Sequence, residues 1–274
     1  MGLFGAKVNR LLLTPAFLCL LMLAACAPQD AALRSGRWVD LTHSFSAETI
    51  YWPNADHFKL EKVYDGHAAG GYHYSANRYS AAEHGGTHMD APIHFDIKGQ
   101  TVEKIGIDQT IGSGVVIDVT ANSNLHRDYR VGPDDFLAFE AKQGRIPKGA
   151  IVLIRTGYDR FWPDAKQYLG TDERGESAIP KLHFPGLSPE GARWLVEQRD
   201  VRAVGLDTAS IDYGQSRLFE SHRILALHAV PIFENLKGLD QLPVTGALVV
   251  ALPMKIEGGS GAPLRAIAFI TDNP

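Results

Sequence analysis

A chain of 274 residues, 45% hydrophobic and 21% charged, has the mixture of a globular protein with material for one large core, so one domain is expected. A formal net charge of -4 supplies no broad basic field, which excludes electrostatic capture of a phosphate backbone; nucleic acid is not an expected partner.

The first predicted element is not part of the fold. Lys7 and Arg10 precede an apolar run over residues 11–25 that closes in Leu23-Ala24-Ala25-Cys26, the layout of a signal peptide. Its ending resembles a bacterial lipobox, in which the cysteine becomes the first mature residue and carries the lipid, so residues 1–26 read as a lipoprotein signal peptide with Cys26 lipidated. An apolar stretch of about 15 residues is short of the ~20 that a spanning helix needs. The expectation is an exported, periplasm-facing lipoprotein on a bacterial membrane, touching that membrane only through its anchor. Cys19 falls in the removed segment and Cys26 at the lipid site, so a metal in the mature domain must be held by nitrogen and oxygen.

Residues 27–36 are small and polar without periodicity, which suits a tether. The domain is expected over 37–274. Apolar, β-branched runs recur at 114–119, 150–154, 201–206, 229–233, 247–252 and 264–270, each bounded by Gly, Pro or Asp, and read as buried strands. Between them, Ser188-Pro189-Glu190 opens a helix over 191–199, with serine capping and proline in the first turn. A second helix is expected over 216–226, where Leu218, His222 and Leu225 share a face. The sum is a single α/β domain with a mixed β-sheet flanked by helices.

The strongest chemical signal is His84-Gly85-Gly86-Thr87-His88-Met89-Asp90-Ala91-Pro92-Ile93-His94, three imidazoles and a carboxylate in eleven residues. These are the ligands a borderline divalent ion takes when thiolate is absent. A fully extended strand would separate His84 from His94 by roughly 33 Å at ~3.3 Å per residue. A continuous helix would put Asp90 about 200° round from His88 at 3.6 residues per turn. A folded-back loop is therefore expected, with Gly85, Gly86 and Pro92 permitting sharp turns.

The segment resembles the His-x-Gly-Thr-His-x-Asp-x-Pro-x-His motif of the cyclase family, which includes bacterial kynurenine formamidases and isatin hydrolase. The resemblance implies a swivelling β/β/α fold, a homodimer, His84, His88 and Asp90 as metal ligands, and His94 in proton transfer. The formamidases add a later histidine and, twelve residues on, a glutamate, a spacing that His222 and Glu234 reproduce. His228 is the rival for that role and capping of the next turn the alternative for Glu234; His222 with Glu234 is the favoured pair. Gly170-Thr171-Asp172-Glu173-Arg174-Gly175 and the segments 182–189 and 205–216 are closest to isatin hydrolase, described as using manganese where the formamidases use zinc. The metal is thus Mn²⁺ or Zn²⁺, as one ion or two.

Trp52, Phe58 and Tyr74, with Tyr51 and Tyr72, are candidates to wall a flat pocket for a small aromatic substrate, with core packing as the alternative. Asp207, Ser210 and Asp212 follow a buried strand and are candidates to orient ligands or to hydrogen-bond substrate. The expected chemistry is metal-dependent hydrolysis of an amide-type C–N bond, with the ion activating water and His94 managing the proton. For isatin this opens the lactam to isatinate; the alternative is arylformamidase action on N-formylkynurenine in tryptophan catabolism. A reading of another class is a non-catalytic lipoprotein that binds a ligand or metal; His94 beside the three ligands argues against it.

Overall fold

The computed structural model describes residues 1–2 and 35–272; residues 3–26 of the expected signal peptide, Cys26 among them, and residues 27–34 of the tether lie outside the described residues. The strands are β1 (Gly36–Asp40), β2 (Lys59–His67), β3 (His73–Ser80), β4 (His88–Asp90), β5 (Ile111–Asp118), β6 (Arg130–Val131), β7 (Ile151–Arg155), β8 (Gly186–Leu187), β9 (Ala203–Leu206), β10 (Ile232–Glu234), β11 (Thr245–Pro253) and β12 (Gly261–Thr271). The helices are α1 (Ile107–Thr110), α2 (Thr120–Leu125), α3 (Pro133–Gln143), α4 (Ala165–Leu169), α5 (Pro189–Trp194) and α6 (Glu220–Leu227). Among the described residues, no helix is long and apolar enough to cross a membrane.

Eight strands form one sheet in the order β1-β12-β11-β5-β7-β9-β10-β4, and β4 pairs back onto β12, so the sheet closes into a barrel. The run β5-β7-β9-β10 is parallel, while β11, β12 and β4 complete the circuit with antiparallel pairs, which makes this the mixed sheet expected from the sequence. Successive residues of β7 alternate between two cores: Ile151 and Leu153 join one with Met89 and Phe233, while Val152 and Ile154 join another with Phe136 of α3 and Leu225 of α6. Burial on both faces is why these strands read as continuous apolar runs rather than alternating ones.

All six of those runs overlap observed strands. Both expected helices form with different bounds. Ser188 caps Gly191 N–H at 3.0 Å, and α5 passes at Leu195 into a π-helical turn, Leu195–Arg199. The helix expected from 216 begins at Glu220, because Phe219 has φ 48° and interrupts the winding; Leu218 lies outside it, 64% exposed. Among the described residues the hairpin β2–β3 pairs only with itself. Tyr74 lies on it, half exposed against Tyr64, with Tyr72 exposed at its turn, and neither lines the cavity described below. Phe58, at its base, packs between Phe45 and Tyr79 instead of facing the cavity described below. The packing alternative holds for Phe58.

Candidate active site and metal centre

Strand β4 shows how three residues can aim two donor side chains. Alternate residues of a strand share a face. Met89, fully buried, enters the barrel core, and His88 and Asp90 turn together to the other side. The strand is paired on both edges: His88 stands opposite Glu234 and Pro263, and Asp90 opposite Ile232 and Gly261. This register carries Glu234 to the face of His88, with His88 Nε2 3.4 Å from Glu234 Oε2. Gly86 adopts φ 58°, the left-handed turn that admits the strand. A Cβ at Gly261 would lie 2.5 Å from His84 Cε1, so glycine leaves the space this imidazole fills. Beyond Ala91 the 3-10 turn Pro92–His94 folds the chain back, and His94 stacks on His84 with ring centroids 3.8 Å apart.

His222 comes from the buried face of α6. Asp212 receives the start of that helix, accepting from the N–H groups of Ser221 and His222 at 3.2 and 3.1 Å, and from His222 Nδ1 at 2.6 Å. His228, the competing candidate, is exposed and bonds the Ile224 carbonyl; the structure brings His222 to the cluster and leaves His228 outside it.

The hydrogen bonds fix which nitrogen of each imidazole is bare. A carbonyl and a carboxylate only accept, so His88 Nδ1 donates to Gly86 O at 2.9 Å and His222 Nδ1 donates to Asp212. Ser260 donates its one hydroxyl proton to Glu83 Oε2 at 2.7 Å, so its oxygen accepts from His84 Nε2 at 2.9 Å. Three lone pairs are thereby aimed at carboxylate oxygens. His84 Nδ1 lies 2.7 Å and His88 Nε2 3.2 Å from Asp90 Oδ1, while His222 Nε2 lies 3.3 Å from Asp90 Oδ2 and 3.2 Å from Glu234 Oε1. Electron-pair donors this close need positive charge between them. The donors form two groups, His84-His88-Asp90 and Asp90-His222-Glu234, each with its ligand atoms within 4.8 Å of one another, and Asp90 belongs to both. An all-nitrogen-and-oxygen set with its outer bonds already made fits a divalent cation.

Protons can meet the same demand at those three nitrogens, and the titration behaviour shows it. Burial disfavours charge on His88, but hydrogen bonding to Asp90 and the charges of Asp90 and Glu234 outweigh it and raise the pKa to about 9. His222 is raised well above the ordinary histidine range against its burial, by Asp212, Asp90 and Glu234. Asp90, despite burial, is held well below the carboxylate range by the charge of His84 and hydrogen bonds from His222, His84 and His88. Glu234 is raised by burial and by repulsion from Asp90. His94 is the exception: burial pulls it to about 4 against the attraction of Asp90, with His84, His222 and His88 adding to the fall. It belongs to neither donor group.

These residues form one end of a cavity of about 310 Å³ whose walls include Ile50, Trp52, Phe95, Ala209 and Phe219. Trp52, Tyr51 and Ser210 are at the lining; Phe58 and Tyr74 are not. Asp207 is also elsewhere. Fully buried, it accepts from Thr156 N and Oγ1 at 2.8 and 2.7 Å and from Gly157 N at 2.7 Å, tying β9 to the end of β7. Burial pushes its pKa up to about 6. Sequence reading missed Glu83 and Ser260, which reach the site through the β12–β4 pairing, and the walls Phe95 and Phe219. Adjacency to His94 and to the start of the His222 helix was the available signal for the two phenylalanines.

Comparison with known proteins gives a consistent result. The Cyclase family model matches residues 39–213. The isatin hydrolase of Roseibium aggregatum is 32% identical over 196 residues, covering 69% of this chain and 72% of that one. The kynurenine formamidase of Bacillus cereus is 26% identical over 238 residues, covering 86% and 98%. The structure of isatin hydrolase A from Ralstonia solanacearum superposes with a TM-score of 0.77 at 33% identity, covering 97% of this chain and all of that one.

Proposed function

Since the chain belongs to the cyclase family and its relatives hydrolyse amide bonds, we propose that it opens the lactam ring of isatin, or of a similarly compact and uncharged aromatic amide, to the ring-opened acid. The observation that carries this reading is the cavity wall. Apolar and aromatic side chains surround the metal-ligand cluster, and among the described residues no Lys or Arg lines the cavity. A planar neutral bicycle suits such walls. N-formylkynurenine carries an amino-acid carboxylate, and burying that charge without a cationic partner is costly. The expected export of the chain favours an environmental substrate in the same direction, since kynurenine breakdown is usually cytoplasmic.

In this reading His84, His88, Asp90, His222 and Glu234 hold Mn²⁺ or Zn²⁺, and the sharing of Asp90 between two donor groups favours two ions. The bound metal supplies a Lewis acid for the carbonyl and a lowered pKa for water. His94, neutral above about pH 4, accepts the proton of the attacking water. As the carbonyl C–O bond forms and the C–N bond breaks, it returns that proton to the departing nitrogen. Ser210, buried at the lining, donates to the substrate in this reading. A lipid anchor at Cys26 and a homodimer belong to the same proposal.

The test is turnover by the purified domain supplied with Mn²⁺ or Zn²⁺. The expected result is a kcat/KM for isatin above that for N-formylkynurenine by about a hundredfold or more. The reverse order would give the formamidase reading the site, and metal-loaded protein inert toward both would favour a binding protein.

A further inference from the structure

The segment from Gly170 to Gly175 carries part of the family likeness yet gives no side chain to the donor groups or to the cavity lining. Two of its residues, Arg174 and Gly175, bond to the outer side of one cavity wall. Residues 52–55 make a tight turn, closed by Ala55 N–H donating to Trp52 O at 3.0 Å, with Pro53 in the position where its fixed φ suits the turn. The two end residues, Trp52 and Ala55, line the cavity. Arg174 spans those same ends from outside: Nη1 donates to Trp52 O at 3.2 Å and Nη2 to Ala55 O at 2.5 Å. Gly175 N–H donates to Pro53 O at 2.9 Å, and Asn54 Nδ2 donates to Glu176 Oε1 at 2.6 Å. Every residue of the turn is therefore tied to one neighbouring loop.

The other attachments of the wall are unequal. On its near side Tyr51 bridges to Gly85, beside His84, and Gly86 N–H donates to Ile50 O at 3.0 Å. On its far side the next backbone tie to the body is a long bond, Ala82 N–H to Asp56 O at 3.4 Å. The Trp52 ring meets Phe219 at 6.2 Å between centroids, and Phe219 meets both Phe95 and His222. Movement of the turn would thus alter the gap between the Trp52 wall and the side of the cavity that carries His222.

We infer that Arg174 is a positioning residue that fixes the Trp52 wall, and so sets which planar substrates the cavity accepts. This rests on the reading of the cavity as the substrate site. Arginine suits the task because its planar fork meets two carbonyls at once, where a lysine ammonium has no such fixed geometry.

The experiment compares Arg174→Ala, Arg174→Lys and Asn54→Ala in metal-loaded protein. It uses amide hydrogen exchange, metal content and isatin kinetics. Arg174→Ala is expected to speed exchange at residues 54–57 and leave residues 84–94 unchanged. Its KM should rise about tenfold, the scale of one lost charge-assisted hydrogen bond, with kcat within about twofold of wild type. Arg174→Lys should fall between the two, and Asn54→Ala should show a smaller change of the same pattern. Unchanged exchange and KM in Arg174→Ala would overturn the inference, as would loss of metal and kcat together with KM. Should the wild type turn over no isatin, the substrate reading fails by itself; exchange at 54–57 still decides whether Arg174 holds the wall.

Discussion

His84 donates through Nε2 to the Ser260 hydroxyl, 2.9 Å away across 176 residues of sequence, and so presents its bare Nδ1 to Asp90. Glu83 completes the arrangement, accepting from Ser260 N, Ser260 Oγ and Gly261 N on one oxygen. Ser260→Ala is expected to release the tautomer and weaken divalent-metal binding about 10–100-fold, the usual cost of losing such an outer partner. Ser260→Thr keeps the hydroxyl and should restore most of it. Competition against a chromogenic chelator measures both, and an alanine variant with wild-type affinity would remove Ser260 from the ligand's support.

Asp90 divides its oxygens between the two donor groups, Oδ1 toward His84 and His88 and Oδ2 toward His222. Asp90→Ala should therefore empty both positions, whereas Glu234→Ala should lose no more than one equivalent. Elemental analysis after gel filtration reads the stoichiometry. A full metal complement in Asp90→Ala would show that the ligands have been misassigned.

What the sequence disclosed, and what it hid, follows from distance along the chain. The motif from His84 to His94 was legible because its three imidazoles and carboxylate crowd into eleven residues. The strands were legible because both of their faces are buried, as Val152 and Leu153 show by entering different cores. Strand β4 was not, since three residues carry no period; its pairing with β10 and β12 makes it a strand. The same pairing explains why Ser260 and Glu83 escaped notice. Asp207 and Asp212 look alike in sequence, both following a buried strand. Burial against Thr156 and Gly157 gives one a structural duty, while the other meets His222.

His43 stacks on Trp162 at 4.2 Å between centroids, and its Nε2 is buried without a hydrogen-bond partner. Burial, with help from Lys237 and against Asp40, lowers its pKa from 6.5 to about 4. The folded protein thus binds fewer protons here than the unfolded chain between those values. The contribution is fully present above pH 6.5 and is lost as pH falls toward 4, on the order of 2 kcal/mol between pH 7 and pH 5. His43→Phe keeps the stack without the titration, so its denaturation midpoint should fall less over that interval than the wild type's. Parallel pH profiles for the two proteins would show that His43 is not responsible.

For the lipid anchor, Cys26→Ser should abolish acyl labelling and recovery in the membrane fraction while leaving turnover unchanged, because the site residues are all in the folded domain. Labelling of cells with a lipid precursor, followed by fractionation, reads both. Continued acylation of the serine variant would sink the lipobox reading.

His94 sits against His84 yet is in neither donor group, and its pKa near 4 leaves it neutral where the cluster around it attracts positive charge. An imidazole so placed should matter to rate more than to metal. His94→Ala is expected to keep its metal and bind substrate with a similar KM, but to lose ~10²–10⁴ in kcat. The sign of the pH effect follows from the role. A base must be neutral to accept the proton of water, so wild-type kcat should fall as pH drops toward about 4, and the variant should lose that acid limb. Single-turnover kinetics on metal-replete protein separate the outcomes, with metal content measured on the same samples. Parallel loss of metal and activity would make His94 a ligand. Retention of both metal and near-normal turnover would free it of proton transfer, since no rate would then depend on the imidazole that stacks on His84.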